Sequence, residues 1–412
     1  MRRARHLRGR PAVPVVPGGA SVPDLRRPVR DPPLGHRQAR GAGGAGAEGG
    51  AMTPSDGSPK ATVTAPRRGT AAAADTAVVG IDGPALRRYF EQHVPECSGP
   101  LRVELLHGGR SNLTYEVTDG AHRWVLRRPP LGVLTPTAHD MDREYRVVAA
   151  LGGTGVPVAR AVLSCTDPTV IGAPFCVVDF VEGAVLRDGD EVAALPRADA
   201  RRSADALVDA LVALHSVDVF AVGLGDFGRP GGYLERQVRR WRSQWDKVAT
   251  RALPDVEALH GRLAGALPES GAATIVHGDY RLDNTILQPG DVGRIAAIVD
   301  WEMATLGDPL ADLGMLLMYW DPVCEPVLGA RHVPTANPGF PAGQELAERY
   351  AARSGRDISA LPFYQALGCF KLAVIAEGIH ARYRAGQTVG TGFEQVGSAV
   401  PALLRSGLEL LS

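Results

Sequence analysis

The fold of this 412-residue chain is decided by one polar stretch, His277-Gly278-Asp279-Tyr280-Arg281-Leu282-Asp283-Asn284. An apolar pair at 275–276 precedes the stretch, and an apolar run at 295–299 follows it. The pattern predicts a loop between two short strands, because short apolar runs bounded by polar residues are typical of buried strands. The loop has a carboxylate near its start and an amide at its end, and the second run leads directly into the carboxylate of Asp300.

Asp279, Asn284 and Asp300 are side chains of the kind that phosphoryl transfer requires. One carboxylate accepts the proton of the attacking hydroxyl, while a second carboxylate and an amide oxygen hold Mg²⁺ on the nucleotide phosphates. Each residue alone is a weak signal, since Asp and Asn are also common in turns. All three in this order and at this spacing indicate a site for phosphoryl transfer.

The region before the loop predicts a small sheet with one helix. Residues 100–182 have the pattern β-β-β-α-β-β, and Asp119-Gly120 is a typical hairpin turn between two of the strands. After Gly183 the pattern becomes mostly helical, with apolar residues at core spacing. The chain is therefore predicted to be an α+β protein, with a small antiparallel sheet followed by a helical part.

Several features of the sheet region suit a nucleotide. The run 108–112 (Gly-Gly-Arg-Ser-Asn) lies between two strands, where small residues let backbone N–H groups approach phosphate. Arg127 ends the third strand, within reach of the α- and β-phosphates, and Glu144 on the following helix is a partner for that cation. The last strand runs into residues 179–181, whose backbone is suited to pair with an adenine edge.

These strings resemble the aminoglycoside-phosphotransferase branch of the protein-kinase-like fold, in particular the kinase-like domain that is fused to some acyl-CoA dehydrogenases. The resemblance extends over residues 83–410, which is nearly all of the chain after the first 80 residues. It is carried by the strings His107 to Tyr115, Val125 to Pro130, Asp142 to Tyr145, His277 to Asn284, Val299 to Glu302, Gly307 to Pro309, and Asp312-Leu313.

The resemblance implies a two-lobed protein-kinase-like fold that uses ATP and Mg²⁺. The nucleotide-binding lobe is expected over residues 81–182, and the helical lobe with the catalytic loop and the acceptor site over residues 183–412. Asp279 is then the catalytic aspartate, and Asn284 and Asp300 are the metal ligands. The implied nucleotide-binding residues are Gly109, Ser111, Asn112, Arg127, Glu144, Asp179 and Val181, and the implied structural supports of the loop are His277 and Asp312.

The sequence departs from the family pattern at two positions that bind the nucleotide. The cation of the third strand is normally Lys, and here it is Arg127. A guanidinium keeps its charge and binds in a bidentate manner, but it is bulkier than an ammonium group. The loop at 108–112 lacks the full G-x-G-x-x-G spacing, so phosphate contacts are expected to depend on Ser111, Asn112 and their backbone.

Structural roles compete with functional ones at several of these positions. Arg127 and Glu144 are alternatively solvated residues of a strand and a helix. His277 is either a hydrogen-bonding residue of the loop or a general base, and the first role is favoured. Packing in a helix is favoured over contact with the acceptor for Trp241 and Lys371. An Asp-Phe-Gly string at 226–228 precedes the catalytic loop, whereas a metal-binding aspartate must follow it, so this string is interpreted as a turn.

The sequence predicts an ATP-dependent phosphotransferase that acts on a hydroxyl group of a small molecule. Gly278 stands where protein kinases have Arg, which favours a small acceptor over a protein. The resemblance suggests a hydroxyacyl or acyl-CoA-like acceptor. The alternatives are an aminoglycoside or macrolide antibiotic, another alcohol, and a non-catalytic nucleotide-binding scaffold. Aminoglycosides are polycations, and the acidic balance of the folded part is compatible with them without being diagnostic.

The composition excludes other classes of protein. The formal charge is zero, with 45 basic and 45 acidic side chains, so no overall basic field indicates a nucleic-acid partner. No apolar run approaches the roughly 18 residues of a membrane span, so no membrane partner is expected. The five cysteines are scattered and odd in number, which indicates neither a zinc site nor a disulfide scaffold and suits a reducing cytoplasm.

The zero charge conceals an uneven distribution along the chain. Residues 1–75 contain 13 basic and 5 acidic side chains, a balance of +8, so residues 76–412 carry −8. This first part is rich in Gly, Ala and Pro and has no aromatic residue, so residues 1–80 are predicted to be a disordered basic tail. The alternatives are a basic arm for a polyanion, a transit or secretion signal, and an over-extended gene start with Met52 as the true beginning.

Overall fold

The computed structural model of the chain describes residues 78–108, 112–131, 140–186, 189–328, 334, 337–388 and 392–412. The tail predicted over residues 1–80 thus lies outside the described residues except for its last three positions. Helix α1 spans Gly83–His93 and is capped by Asp82, whose carboxylate accepts a hydrogen bond from the Ala85 N–H at 2.9 Å. Its buried face, Leu86 and Phe90, packs into the core of the sheet that follows.

A five-stranded antiparallel sheet forms the first part of the fold. Its strands are β1 (Arg102–Gly108), β2 (Leu113–Thr118), β3 (Arg123–Arg128), β4 (Ala161–Cys165) and β5 (Phe175–Asp179). They lie in the order β1-β2-β3-β5-β4. Burial alternates along β3, so Trp124 and Leu126 face the core with α1, and Arg127 faces the other side of the sheet. The register pairs Arg127 with Thr114 on β2 and Cys176 on β5, which places its guanidinium on a central strand.

Helix α2, Met141–Leu151, packs on the face of the sheet that carries Arg127. Asp140 caps the helix by accepting a hydrogen bond from the Arg143 N–H at 3.0 Å. Val147 and Leu151 on its buried stripe join the core of the helical part, while Glu144, one turn earlier, is also buried. The helix therefore contacts both the sheet and the helical part.

The helical part contains nine α-helices within the described residues. They are α3 (Gly189–Ala194), α4 (Arg197–His215), α5 (Tyr233–Val248), α6 (Pro254–Gly265), α7 (Leu310–Trp320), α8 (Glu325–Leu328), α9 (Gly343–Ser354), α10 (Leu361–Arg384) and α11 (Val396–Glu409). Helix α10 lies at the centre, packed against α5, α6, α7 and α11. Most of its 24 residues are buried, which explains why its sequence is apolar nearly all round.

Two small antiparallel ribbons carry the polar loop. The first pairs β6 (Thr274–Val276) with β9 (Thr305–Gly307), and the second pairs β7 (Thr285–Gln288) with β8 (Asp291–Ile298). Short 3₁₀ turns lie at Leu282–Asn284, Trp301–Met303 and Pro322–Cys324. The stretch 277–284 thus runs from the end of β6 to the start of β7, and residues 299–304 run from β8 to β9.

The predicted fold class is confirmed: a small antiparallel sheet with a helix is followed by a mostly helical part. The sequence did not predict α3, α8, β7 and β9, because elements of three to six residues contain too little periodicity to be recognised. At the start of α7 the carboxylate of Asp308 accepts a hydrogen bond from the Leu310 N–H at 3.0 Å, which satisfies a backbone donor of the first helical turn. Within the described ranges, no helix has the length and apolar character to cross a bilayer.

Candidate active site

Asp312 holds the start of the polar loop in place. Its carboxylate oxygens accept hydrogen bonds from the backbone N–H groups of His277 at 2.6 Å and Gly278 at 2.8 Å. Asp312 is fully buried on α7, and the Nε2 atom of the buried His215 lies 3.3 Å from the same carboxylate. A buried carboxylate is stable only when it is hydrogen-bonded in this way. The geometry is that expected of the supporting role predicted for Asp312.

His277 is fully buried, and both of its ring nitrogens are in use. Its Nε2 atom lies 2.9 Å from the Val299 carbonyl oxygen and donates to it, and its Nδ1 atom accepts from the Asp279 N–H at 3.3 Å. No ring nitrogen is left to accept a proton from a substrate. The contacts therefore favour the structural role over that of a general base, and they tie the loop to the end of β8.

Gly278 is required by the shape of the loop. Its φ angle is +87°, a region that L side chains rarely adopt. A Cβ atom built on it would lie 2.8 Å from the carbonyl oxygen of Met303. The loop and the segment after Asp300 thus pass so closely that only glycine fits between them.

Asp279 directs its carboxylate toward three neighbours while its side chain remains 23% exposed. The Tyr319 hydroxyl donates a hydrogen bond to Oδ1. The Asn284 amide nitrogen donates to Oδ2 at 3.1 Å, and Arg281 Nε lies 3.6 Å from the same oxygen. The carboxylate is thereby fixed in orientation and still accessible, as a proton acceptor must be.

The surroundings of Asp279 favour its ionised form. Burial is the largest influence on its pKa and raises it, but the charges of Arg281 and Lys371 lower it. The hydrogen bond from Tyr319 lowers the pKa further, so that it lies below the usual value for an aspartate. Asp279 is therefore ionised at neutral pH.

Asn284 connects the loop to Asp279 and to the end of β8. Its side-chain amide nitrogen also donates to the backbone carbonyl oxygen of Asp279 at 2.8 Å. The backbone carbonyl oxygen of Asn284 accepts a hydrogen bond from the Val299 N–H at 2.9 Å. Because the nitrogen is held by Asp279, the amide oxygen points to the other side of the planar group, where it can serve as a ligand.

Asp300 has an unusual backbone. Its φ and ψ angles are 68° and 59°, and it is the one non-glycine residue with a positive φ among the described residues. This left-handed conformation costs a non-glycine residue roughly 1–2 kcal/mol. Such strain persists where the surroundings enforce it, often at functional sites. The conformation turns the carboxylate toward Arg127.

Arg127 on the sheet forms ion pairs with two carboxylates, one on α2 and one on residues 299–304, which we call the catalytic segment. One guanidinium nitrogen lies 2.7 Å from Glu144 on α2, and the other lies 2.9 Å from Asp300. Only 15% of the Arg127 side chain and 5% of the Glu144 side chain are exposed. The structure thus brings together three predicted residues from a strand, a helix and a loop. Arg127 and Glu144 are largely buried, so the alternative that they are solvated surface residues is wrong.

Burial and pairing act against each other in this cluster. Burial lowers the pKa of Arg127, but Glu144 and Asp300 raise it by more, so the guanidinium stays charged. Burial raises the pKa of Glu144, and the charge of Arg127 opposes the rise. Arg127 Nε and Glu144 Oε2 are buried and have no hydrogen-bond partner among the described residues. Each partner therefore compensates a charge that would be costly to leave alone.

The oxygen ligands at the site fit Mg²⁺. Mg²⁺ prefers oxygen atoms and is usually held by one or two carboxylates together with water and substrate phosphates. The amide oxygen of Asn284 and the carboxylate of Asp300 are such ligands. No cluster of three or more His, Cys, Asp and Glu side chains suited to a metal ion occurs in the described part of the chain.

The predicted nucleotide contacts at the sheet are only partly within the described residues. Gly109 and Ser111 lie outside them. Asn112 is buried, and its amide nitrogen donates to Glu302 at 3.0 Å. The Asp179 N–H already donates to the Arg160 carbonyl oxygen at 2.9 Å, so this backbone N–H is not available for an adenine.

The adenine prediction now concerns the other backbone groups of residues 179–181. The Asp179 carboxylate is held by the Arg160 guanidinium at 2.6 and 2.9 Å, so its side chain is occupied. Residue 181 follows the last strand, and no described group accepts a hydrogen bond from the Val181 N–H.

A family model described as the phosphotransferase enzyme family matches residues 102–354, which is more than half of the chain. The chain belongs to this phosphotransferase family. The matched segment runs from β1 to the end of α9 and includes every predicted site residue.

Curated relatives of this phosphotransferase are acyl-CoA dehydrogenase family members. Acyl-CoA dehydrogenase family member 11 of Rattus norvegicus is 36% identical over 337 residues, and that of Gallus gallus is 38% identical over 344 residues. The two matches cover 79% and 80% of this chain but 43% of each relative. The chain therefore spans less than half the length of the curated relatives it matches.

Solved structures of similar proteins carry the same fold. A putative aminoglycoside phosphotransferase from Ralstonia eutropha JMP134 is 34% identical, with a TM-score of 0.70 over 80% of this chain and 98% of that protein. The aminoglycoside phosphotransferase APH(4)-Ia is 16% identical, with a TM-score of 0.53 over 79% of this chain and 99% of that protein, which shows the shared fold alone.

Several residues around the catalytic loop of this phosphotransferase were not predicted as site residues. Tyr319 contacts Asp279, and Glu302 accepts the hydrogen bond from Asn112. Lys371 donates to the Gly278 carbonyl oxygen at 2.7 Å, and it lies with Trp241 in the wall of a cavity beside the loop. The polar character of Lys371 in an otherwise apolar helix was a usable signal, whereas Tyr319 lies in an apolar run that gives none.

Proposed function

We propose that the chain transfers the γ-phosphoryl group of ATP to a hydroxyl group of a small molecule, with Mg²⁺ as cofactor. The proposal is carried by three contacts: Asn284 donates to Asp279, the backbone carbonyl of Asn284 accepts from Val299 directly before Asp300, and Arg127 reaches Asp300 from the sheet. Carboxylate, amide and guanidinium groups in this arrangement supply the positioning and the charge stabilisation on which phosphoryl transfer depends.

Asp279 has the role of the proton acceptor. Its carboxylate is ionised, oriented by Tyr319 and Asn284, and accessible from the cleft. An acceptor hydroxyl that donates to this carboxylate is held in line with the phosphoryl group and becomes a better nucleophile as its proton is taken. Tyr319 and Asn284 do not react; they keep the carboxylate in one orientation.

The remaining predicted residues bind and orient the nucleotide. Mg²⁺ held by Asn284 and Asp300 would neutralise charge on the phosphate oxygens. Arg127 is kept charged and oriented by Glu144 and Asp300, and it would contact the α- and β-phosphates. The Asp179 carbonyl and the Val181 N–H would pair with the adenine edge, and Gly109, Ser111 and Asn112 are the proposed phosphate contacts of the first loop.

We propose a hydroxyacyl or acyl-CoA-like molecule as the acceptor. The support is the similarity to acyl-CoA dehydrogenase family members, in which a matching segment is part of a longer protein named for acyl-CoA chemistry. An antibiotic acceptor is the second candidate, because the similar Ralstonia protein is described as a putative aminoglycoside phosphotransferase. APH(4)-Ia was solved with AMP-PNP and hygromycin B, and its relation to this chain is one of fold.

An ADP-release assay tests the activity and the acceptor together. The chain is incubated with ATP, Mg²⁺ and one acceptor from each class: hydroxyacyl-CoAs, aminoglycosides, macrolides and simple amino alcohols. We expect a hydroxyacyl-CoA to stimulate ADP release. The Asp279→Asn variant should lower turnover by about 10²–10⁴-fold, the usual contribution of a general base, and should bind ATP as before.

Two outcomes of this assay contradict the proposal. Phosphoryl transfer that is unchanged in Asp279→Asn would remove the role of the proton acceptor. Nucleotide binding without ADP release for every acceptor would instead identify the chain as a non-catalytic scaffold. A response to aminoglycosides alone would leave the phosphotransferase activity in place and replace the acceptor.

A further inference from the structure

A cavity of about 610 Å³ lies beside the catalytic loop. Its walls come from α5, α7 and α10, from the start of α2, and from the segment at 302–305 that follows Asp300. Gly278, the residue before Asp279, is part of the wall. The volume is typical of a site for a small molecule. A ligand in this cavity therefore lies next to the loop that carries the proposed catalytic carboxylate.

The cavity is lined by five cationic side chains, Arg143, Arg229, Arg236, Arg240 and Lys371. Three acidic residues also line it, and each has another partner. Asp140 caps α2, Asp312 braces the loop, and Glu302 accepts a hydrogen bond from Asn112. Five cations against three carboxylates give the lining a formal charge of +2, although residues 76–412 together carry −8. We call it the cationic cavity.

The cations of the cationic cavity are held by carbonyl groups and aromatic rings. Arg143 donates to the Ala304 carbonyl oxygen at 3.0 Å, and its guanidinium lies 3.8 Å from the centre of the Phe227 ring. Arg236 donates to the carbonyl oxygens of Gly231 and Arg229. Within the described ranges, none of the five side chains forms an ion pair with a carboxylate.

Lys371 and Trp241 close the deep end of the cationic cavity. Both are more than nine-tenths buried, and the Lys371 ammonium lies 5.6 Å from the centre of the Trp241 ring. Burial lowers the pKa of Lys371, the charges of Asp279 and Asp312 raise it, and the charge of Arg240 lowers it again. Lys371 thus has carboxylates nearby, whereas Arg240 has no carboxylate partner in the described part of the chain. An uncompensated guanidinium in a cavity wall favours a negatively charged ligand.

The cations of α5 lie on one face of the helix. Arg236 and Arg240 are four residues apart and project to the same side, together with Trp241. Arg239 is the neighbour of Arg240 in sequence but lies outside the cavity wall, where it is 67% exposed and 3.5 Å from Glu235. The helix thus directs two arginines into the cavity and a third away from it.

We propose that the cationic cavity is the subsite that binds a phosphate-bearing part of the acceptor. This inference rests on the proposed function and adds that the acceptor carries a negatively charged phosphate group. Arginine forks bind phosphate oxygens in a bidentate manner, and five cations suit more than one phosphate charge. Lys371 contacts both the cavity and the Gly278 carbonyl oxygen, so an anchored phosphate fixes the acceptor beside Asp279. A polycationic aminoglycoside would be repelled by the same residues.

Calorimetric titration tests the subsite without requiring turnover. The full chain is first saturated with Mg²⁺ and AMP-PNP so that the nucleotide site is filled, and failure at this step would contradict the proposed function itself. Pyrophosphate, coenzyme A, phosphate-free pantetheine and kanamycin are then titrated separately. We expect pyrophosphate and coenzyme A to bind, with an affinity that falls as salt is added, and pantetheine and kanamycin to bind at least tenfold more weakly.

Variants of α5 locate the binding. Arg236→Gln combined with Arg240→Gln should weaken coenzyme A binding at least tenfold, and Arg240→Gln alone should do so in part. Arg239→Gln is the matched control and should bind like the unchanged chain. Melting temperatures of all variants check that they are folded, and the exposed position of Arg240 keeps the single variant informative if the double variant does not fold.

The outcomes separate the subsite from the activity. Tighter binding of coenzyme A than of pyrophosphate supports a coenzyme A ester as the source of the phosphate, and equal binding supports a small phosphorylated alcohol. The inference is overturned if neither anion binds to the nucleotide-saturated chain, or if the arginine variants bind like the Arg239 control. Asp279→Asn should bind both anions normally, so a loss of turnover in that variant does not bear on the subsite.

Discussion

Tyr319 determines how the carboxylate of Asp279 is presented. Its hydroxyl donates to one carboxylate oxygen, while the guanidinium of Arg281 lies 5.3 Å from the centre of its ring. A carboxylate oxygen accepts more than one hydrogen bond, so an acceptor hydroxyl shares the oxygen with Tyr319 rather than displacing it. Tyr319 is therefore a positioning residue that acts through Asp279.

The Tyr319→Phe variant should weaken this positioning and change the pH dependence. The lost hydrogen bond to a charged group is worth roughly 1.5–3 kcal/mol, so we expect kcat to fall by at least about tenfold. Because the Tyr319 hydroxyl lowers the pKa of Asp279, its removal raises that pKa, and the acid limb of the kcat–pH profile should move to higher pH. The KM for ATP should stay the same.

Tyr115→Phe is the control for this change. Tyr115 is buried in the core of the sheet and donates to the Val79 carbonyl oxygen at 2.7 Å. Its loss should lower the melting temperature and leave the pH profile in place. An acid limb that does not move in Tyr319→Phe would contradict the assigned role.

The contact of Tyr319 could not be predicted from the sequence. Helix α7 is buried on almost all sides, so its apolar run has no polar face that singles out one residue. The tyrosine reaches Asp279 because α7 and the catalytic loop meet in three dimensions. Asp279, Asn284 and Asp300, in contrast, could be named as candidate site residues, because they lie within 22 residues of one another in the sequence.

At the level of the elements, the catalytic loop depends on the close approach of two segments. Gly278 lies against the Met303 carbonyl group, and Asp312 holds the adjoining backbone N–H groups from α7. The loop is therefore fixed from two sides, and its shape does not depend on a bound substrate.

The Gly278→Ala variant should disturb both stability and activity. The positive φ angle costs alanine about 1 kcal/mol, and the crowding against Met303 adds about 1–3 kcal/mol. We expect a lower free energy of unfolding in denaturant titrations and a marked loss of kcat, since Asp279 follows directly.

Gly153→Ala separates strain from crowding. Gly153 has a φ angle of +82°, but a Cβ atom added to it would have no described atom within 4 Å beyond its own chain neighbours. The Gly153→Ala variant should lose only the roughly 1 kcal/mol that the positive φ angle costs, and it should keep full activity. Equal losses in the two variants would show that the close approach at Gly278 is unimportant.

Elements with strong local signals could be predicted, and short elements could not. The Asp119-Gly120 turn and the alternating pattern around it gave β2 and β3, and the amphipathic pattern gave α5. Strand β9 has three residues and exists because it pairs with β6 across the loop. Its position is set by partners that are distant in the sequence, which a local pattern does not contain.

At the level of the whole molecule, two contacts join the sheet to the catalytic segment. Arg127 reaches Asp300 at 2.9 Å, and Asn112 reaches Glu302 at 3.0 Å. The first contact ends on Asp300, a proposed metal ligand, and the second ends on Glu302, two residues later. In the proposed function, these contacts keep the nucleotide-binding sheet next to the residues proposed to act on the phosphates.

The Arg127→Lys variant should show why an arginine occupies this position. A single ammonium group is not able to span Glu144 and Asp300 with two nitrogens as the guanidinium does. We expect the KM for ATP to rise by about tenfold, the equivalent of one lost charged hydrogen bond. Arg102→Lys on β1, whose side chain is exposed, should have no such effect. Unchanged ATP kinetics in Arg127→Lys would show that the double contact is unimportant.

The charge of the whole chain does not reveal the charge of its cavity. The −8 balance of residues 76–412 was compatible with a cationic acceptor, yet the cationic cavity has the opposite sign. Its five cations come from α2, the segment before α5, α5 itself and α10, so no basic run marks them in the sequence. Only the fold collects them.

Removal of the N-terminal tail provides a further test at the level of the whole molecule. Residues 1–75 have a composition that cannot form an apolar core. We expect a chain that begins at residue 76 to keep its melting temperature and its kcat. A clear drop in either quantity would assign the tail a structural or catalytic role.

The left-handed backbone of Asp300 has an evolutionary consequence. Its geometry suits glycine or asparagine better than aspartate, so the carboxylate is retained against a local conformational preference. If Asp300 binds the metal ion as proposed, a related protein that has lost the activity no longer needs the acid, whereas the backbone preference remains. We therefore expect family members that have lost the activity to carry glycine or asparagine at the position of Asp300.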